Sequence, residues 1–246
     1  SNIPELKGEI EPGNFSEHLI PHIDCWHTSQ HIREAKLVTQ VLTEKEPKSF
    51  LLICSIRPIC KPVESSAPKW KGALSNVTPI SQMLAEEKIR HRICSPSSLA
   101  MAVSKIKGLA EIEANAVWKK LIDLCYDLNI NAYGSWPKAM YAASSFGVLG
   151  GIEAHADLES AEKCLELGQP VVCSIDYEKG KLKGAPLEST KGHLVTLIGI
   201  NDEQILVMAP AAPEKNMIAR EYDRKEFEDA WLRKRGAGYY FCVTSE

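Results

Sequence analysis

Apolar positions recur with two different periods along this chain, and the change between them divides it. Residues 97–107 carry Leu99, Ala102, Val103 and Ile106 at helical spacing, with Pro96 at the first helical position and Gly108 as a stop. Residues 111–128 predict a second helix, and residues 137–146 a third that Gly147 ends. A fourth helix is expected over 157–167, with Asp157 as its cap and Gly168 as its terminator. Beyond it the period shortens. Residues 170–177, 193–200, 204–208, 217–222 and 238–243 read as strands, with a helix over 225–235 between the last two. Helices followed by sequence-adjacent strands predict an α+β fold.

The first 75 residues read differently. Residues 36–43 and 49–57 are β-like and joined by a polar turn containing Pro47, and a loop rich in Pro, Ser and Lys follows over 58–71. The expected organisation is a small β-rich N-terminal region over 1–75 and a main domain over 76–246. Internal repeats and low-complexity tracts are absent from the sequence.

Composition narrows the function classes. The 246 residues are 44% hydrophobic and 25% charged with a net charge of −3, the balance of an ordinary globular protein. No block of like charge predicts a nucleic-acid partner, and Lys69 and Lys71 around Trp70 read as a solvated loop. No run approaches the roughly 20 apolar residues of a membrane helix, so a soluble protein is expected. The eight cysteines show neither a Cys-x-x-Cys pair nor zinc spacing, so no metal and no cofactor is expected. His18, His22, His27 and His31 recur every four or five residues, but Pro21 interrupts any helix and no acidic cluster joins them. They read as surface or internally satisfied histidines. Setting Cys94 apart leaves seven cysteines, an odd number for a fully paired set, which mildly favours a reducing compartment.

Two residues carry candidate chemistry. Cys94 directly precedes Ser95-Pro96 and an apolar helix, so its sulfur lies at a helix N-terminus, where unpaired N–H groups favour thiolate. The bland alternative is a buried cysteine that starts a helix. His193 opens an apolar strand beside Gly192, and a lone histidine there is commonly a satisfied polar residue. Together they have the general form of a thiol nucleophile and its base.

Several segments then form an ordered set: Gln82-Met83, residues 93–98 (ICSPSS), residues 133–137 (YGSWP), residues 170–175 (PVVCSI), and the run from Gly180 through Gly184-Ala185-Pro186-Leu187 to Gly192-His193-Leu194-Val195. This set resembles the bacterial peptidase family thirty-nine-like proteins, relatives of the cysteine peptidases that process bacteriocin leaders. The resemblance runs from about Thr78 to the C-terminus. It implies a papain-like fold in which Cys94 is the nucleophile and His193 the general base and later acid. It also implies that Gln82 supplies the side-chain amide of an oxyanion hole, with the backbone N–H of Cys94, and that the partner is a peptide or protein substrate. Trp136 matches a position near the cleft but reads first as a buried core tryptophan, and Cys173 reads as packing.

One position departs from the pattern. The resemblance leads one to expect Asp-Pro-Ala after the histidine strand, with the Asp orienting the imidazole, and this chain has Ala209-Pro210-Ala211. Asp202 is nine positions from His193, roughly 30 Å along a strand at about 3.3 Å per residue, and is out of reach. Asn216 is a candidate substitute, as are a backbone carbonyl and water. Three readings follow: a Cys94–His193 hydrolase of peptide or isopeptide bonds, an acyl or amide transferase on the same scaffold, and a catalytically impaired binding module.

Overall fold

The computed structural model describes residues 19–21, 26–28, 30, 44, 53–57, 63 and 66–242. The chain divides into two compact units, residues 1–50 and 51–246. In the first unit, β1 (Leu19–Pro21) pairs antiparallel with β2 (Trp26–Thr28). The strand expected at 36–43 and the side chains of His18, His22, His27 and His31 lie outside the described residues. The strand expected at 49–57 is described only from Ile53, where the chain has no regular secondary structure.

The second unit is built on a seven-stranded antiparallel sheet: β3 (Gly72–Ala73), β4 (Gly150–Ala154), β5 (Val171–Tyr177), β6 (Thr190–Ile200), β7 (Gln204–Met208), β8 (Ala219–Asp223) and β9 (Ala237–Phe241). Its order is β4-β9-β5-β6-β7-β8, with β3 pairing on β6. Side-chain alternation sends Leu194 and Ile198 of β6 to one face and Val195 and Leu197 to the other. The first face packs on α1 (Cys94–Lys107), α2 (Glu111–Cys125) and α3 (Trp136–Ser144). The second packs on α4 (Glu159–Glu166) and α5 (Arg224–Ala230) through Leu158, Ala161, Leu165, Phe227 and Trp231. The fold is thus α+β, as expected, with helices on both faces of one antiparallel sheet.

Helix α1 is the centre of this arrangement. Residues 95–104 are all buried, because its apolar positions run round the whole helix. Full burial of side chains such as Leu99 and Met101 stabilises by about 1.5–3 kcal/mol each. Two serines of α1 are bonded across the core, Ser97 accepting from Trp118 Nε1 at 2.9 Å and Ser98 donating to the Leu194 carbonyl at 2.8 Å, whereas the buried Ser104 hydroxyl has no partner among the described residues. Thr196 returns a bond to the Ser98 carbonyl at 3.0 Å, so α1 is fastened directly to β6.

Boundaries shift for identifiable reasons. Helix α1 starts at Cys94, ahead of the expected position, and Pro96 is tolerated because first-turn N–H groups have no intrahelical acceptor. Gly108 ends the helix in the left-handed region at φ 64°. Helix α2 stops at Cys125, since Asp127 bridges back to Ala132. Strand β4 was not expected. Here both glycines are needed for close approach: a Cβ on Gly150 would lie 2.4 Å from the Tyr240 carbonyl, and one on Gly151 would lie 2.3 Å from Ile53 Cδ1.

Candidate active site

Cys94 is the first residue of α1 and is partly exposed. Burial of its surroundings pushes the thiol above its ordinary pKa, while the backbone N–H groups of Leu194, Ser95 and Cys94 oppose that rise. The helix terminus therefore acts in the direction expected from sequence, but desolvation outweighs it. Ser98, one turn along α1, donates to the Leu194 carbonyl, so this end of the helix is tied to the strand residue that follows His193.

His193 lies in β6 opposite Ile175 of β5 and is only 4% exposed. Burial alone lowers its pKa from 6.5 to about 4, and its Nε2 is buried with no hydrogen-bond partner. No hydrogen bond joins Cys94 Sγ to the imidazole among the described residues. Burial thus disfavours the charged form of each group, the Cys94 thiolate and the His193 imidazolium alike.

Ala209 is the position at which the sequence departs from the expected orienting acid. Strand β6 pairs Thr196 with Met208 of β7. One further step in that register sets Ala209 across from Val195, two residues from His193 on the same face. Diagonal neighbours of this kind lie about 7–8 Å apart, within reach of a longer side chain. Ala209 is fully buried and ends in a methyl group, so it offers the ring no acceptor. Asn216 does not fill the gap: it is exposed on a 3-10 turn (Lys215–Met217), and Ile218 is the residue whose carbonyl receives the Ala209 N–H, at 2.8 Å. Asp202 is exposed and paired with Lys71 at 2.7 Å.

Gln82 opens a 3-10 turn (Gln82–Leu84) and is 4% exposed. Its backbone N–H donates to the Pro210 carbonyl at 2.9 Å, next to Ala209. Ser81 donates to the Ala212 carbonyl at 2.5 Å, so the turn is pinned to the segment after β7. The Gln82 side chain donates one Nε2 hydrogen to the Arg90 carbonyl at 2.6 Å, leaving the second hydrogen, while Oε1 is buried without a partner.

One contact beside Cys94 had no local signal in the sequence. Ser95, adjacent to Cys94, shares a buried 2.8 Å hydrogen bond with the Tyr239 hydroxyl. Trp136 is buried, and its ring meets that of Tyr239 edge-on at 6.5 Å. Cys173 is buried in β5 among apolar side chains, as expected of a packing residue. Cys54, Cys94, Cys125, Cys164, Cys173 and Cys242 are free thiols.

Comparison with known proteins agrees with this fold. The profile of the Peptidase_C39-like family matches residues 74–239. The chain therefore belongs to the Peptidase_C39-like family, a class of papain-like cysteine peptidases. No curated protein matches the sequence. Among solved structures, a Bacillus anthracis protein assigned as a C39-like peptidase is similar at 20% identity and a TM-score of 0.53, over 72% of this chain and 100% of that one. A double-glycine motif protease from an AMS/PCAT transporter, solved with its leader peptide, is similar at 17% identity and a TM-score of 0.46, over 72% and 97%. The peptidase domain of Streptococcus ComA, a bifunctional ABC transporter, is similar at 14% identity and a TM-score of 0.44, over 69% and 100%. At 20% identity the likeness to the Bacillus anthracis protein is one of fold.

Proposed function

We propose that this protein is a thiol-dependent hydrolase of peptide or isopeptide bonds, with the peptidase domain spanning residues 76–246 behind a β-rich N-terminal region. Cys94 is the nucleophile, His193 the base, and Gln82 with the backbone N–H of Cys94 the oxyanion hole. The observation that carries this reading is the fastening of α1, which Cys94 opens, to β6 at the residue after His193, where Ser98 donates to the Leu194 carbonyl at 2.8 Å.

Because thiol and imidazole are both neutral at rest, His193 takes the thiol proton as the sulfur attacks the substrate carbonyl. The oxyanion that forms is held by the free Gln82 amide hydrogen and the backbone donor. The imidazolium then protonates the departing amine, leaving an acyl group on Cys94. Water, deprotonated by His193, attacks that acyl group and releases a carboxylic acid and the free thiol. An amine entering in place of water gives acyl transfer by the same steps.

Ala209 and the unpartnered His193 Nε2 favour a second reading, a peptidase scaffold retained for binding. The two separate by acylation with a p-nitrophenyl ester, read at each cysteine by peptide mass spectrometry in the parent and in His193→Ala. A hydrolase acylates Cys94 ahead of the other thiols and loses that lead in the variant. A Cys94 no faster than an ordinary thiol in the parent sinks the hydrolase and leaves the binding module, whose biological effect Cys94→Ser should then preserve.

A further inference from the structure

Residues 233–235, between α5 and β9, are three consecutive cations, and the fold treats them unequally. Arg233 is paired with Asp229 one turn earlier in the chain. Lys234 Nζ lies 3.7 Å from Asp176 Oδ1. Asp176 follows Ile175, the residue of β5 paired with His193, so this contact ties Lys234 to the strand that neighbours β6. Arg235 makes no ion pair among the described residues. Its side chain is exposed, with the guanidinium carbon 5.9 Å from the centre of the Trp136 ring.

That ring leads to the nucleophile. Trp136 packs edge-on against Tyr239, whose hydroxyl is hydrogen-bonded to Ser95, the neighbour of Cys94. Arg235 thus lies at the outer end of a chain of side-chain contacts that ends beside the sulfur, and Lys234 is anchored on the strand beside His193. A second arginine over an aromatic ring, Arg92 on Tyr133, shows the contrast, because its guanidinium is already bonded to Asn131. Stacking on an aromatic face holds an arginine without using its five donors. Arg235 is therefore a positioned cation with its hydrogen-bonding edge uncommitted.

We propose that Arg235 is a specificity-determining residue that binds an Asp or Glu side chain of a peptide lying next to Cys94. This rests on the reading of Cys94 as the centre of a peptide-binding cleft, though it does not require that the bond be cleaved. Forked hydrogen bonding of a carboxylate by a preset guanidinium supplies the preference, and Asp176 limits how far Lys234 contributes.

The test uses the full chain as Cys94→Ser, immobilised and equilibrated with an N-acetylated, C-amidated hexapeptide library, with bound peptides read by mass spectrometry. Asp and Glu should be enriched over Asn and Gln at one position by about threefold to tenfold, the range of a partly exposed charge-assisted contact. Raising the salt should reduce that enrichment. Arg235→Glu should replace it with enrichment of Lys and Arg, and Asp176→Asn, which frees Lys234, should strengthen it. Absence of acidic enrichment overturns the proposal, as does enrichment that survives Arg235→Glu. Enrichment restricted to the same library with free C-termini assigns the contact to a terminal carboxylate and also overturns it. Acidic enrichment with an unreactive Cys94 sinks hydrolysis alone, and a reactive Cys94 without it sinks this inference alone.

Discussion

Acid should unfold this protein through His193 in particular. The ring is 4% exposed, and burial lowers its pKa from 6.5 to about 4. The unfolded chain therefore accepts a proton near pH 6.5 that the folded chain refuses until about pH 4. The stability concerned is fully present above pH 6.5 and is lost as the pH falls from there towards 4. At about 1.4 kcal/mol for each pH unit, that window corresponds to a loss of about 3 kcal/mol. His193→Gln keeps a polar side chain of similar size but takes up no proton. Urea unfolding followed by tryptophan fluorescence at pH 7 and at pH 4 should show the parent losing about 3 kcal/mol more than the variant. Carboxylates titrate across the same range in both proteins, so the difference between them isolates residue 193. Equal pH dependence, within about 0.5 kcal/mol, would show that His193 is not held neutral by burial and would refute the neutral resting pair.

Three further outcomes follow from the same geometry. Ala209→Asp should give the His193 Nε2 its missing acceptor, raise the pKa of the ring, and increase Cys94 acylation at pH 7 by about tenfold or more. This is a fraction of the roughly four orders of magnitude that an orienting acid contributes to a serine triad, and an unchanged rate shows that residue 209 does not reach the ring. Gln82→Ala should lower the rate constant for peptide hydrolysis by about two orders of magnitude while leaving alkylation of Cys94 by iodoacetamide, which forms no oxyanion, nearly unchanged. Equal loss in both assays would assign Gln82 to holding the turn in place. Ser98→Ala removes the 2.8 Å bond to the Leu194 carbonyl and should cost about 1–3 kcal/mol in urea unfolding, with slower Cys94 acylation because α1 and β6 are fastened there. A stable variant with parental acylation would show that packing alone sets that alignment.

What the sequence by itself determined is what depends on near neighbours. The spacing of Leu99, Val103 and Ile106 makes a helix, Gly108 ends it at positive φ, and alternation through β5, β6 and β7 makes strands. Cys94 at a helix start, His193 in a strand, and an alanine at position 209 are likewise local facts. Tertiary structure decided what depends on residues brought from far along the chain. Strand β4 was not foreseen, and it exists because Gly150 and Gly151 let Tyr240 and Ile53 approach. Asn216 was expected to be a candidate partner for His193, but the turn before β8 leaves it in solvent. The Gln82 amide is half committed by the Arg90 carbonyl, and its turn is tied to Pro210. The direction of the Cys94 shift was set in the same way. A helix terminus is a first-turn effect visible in sequence, whereas desolvation sums over every segment packed around the sulfur, and here that sum is the larger.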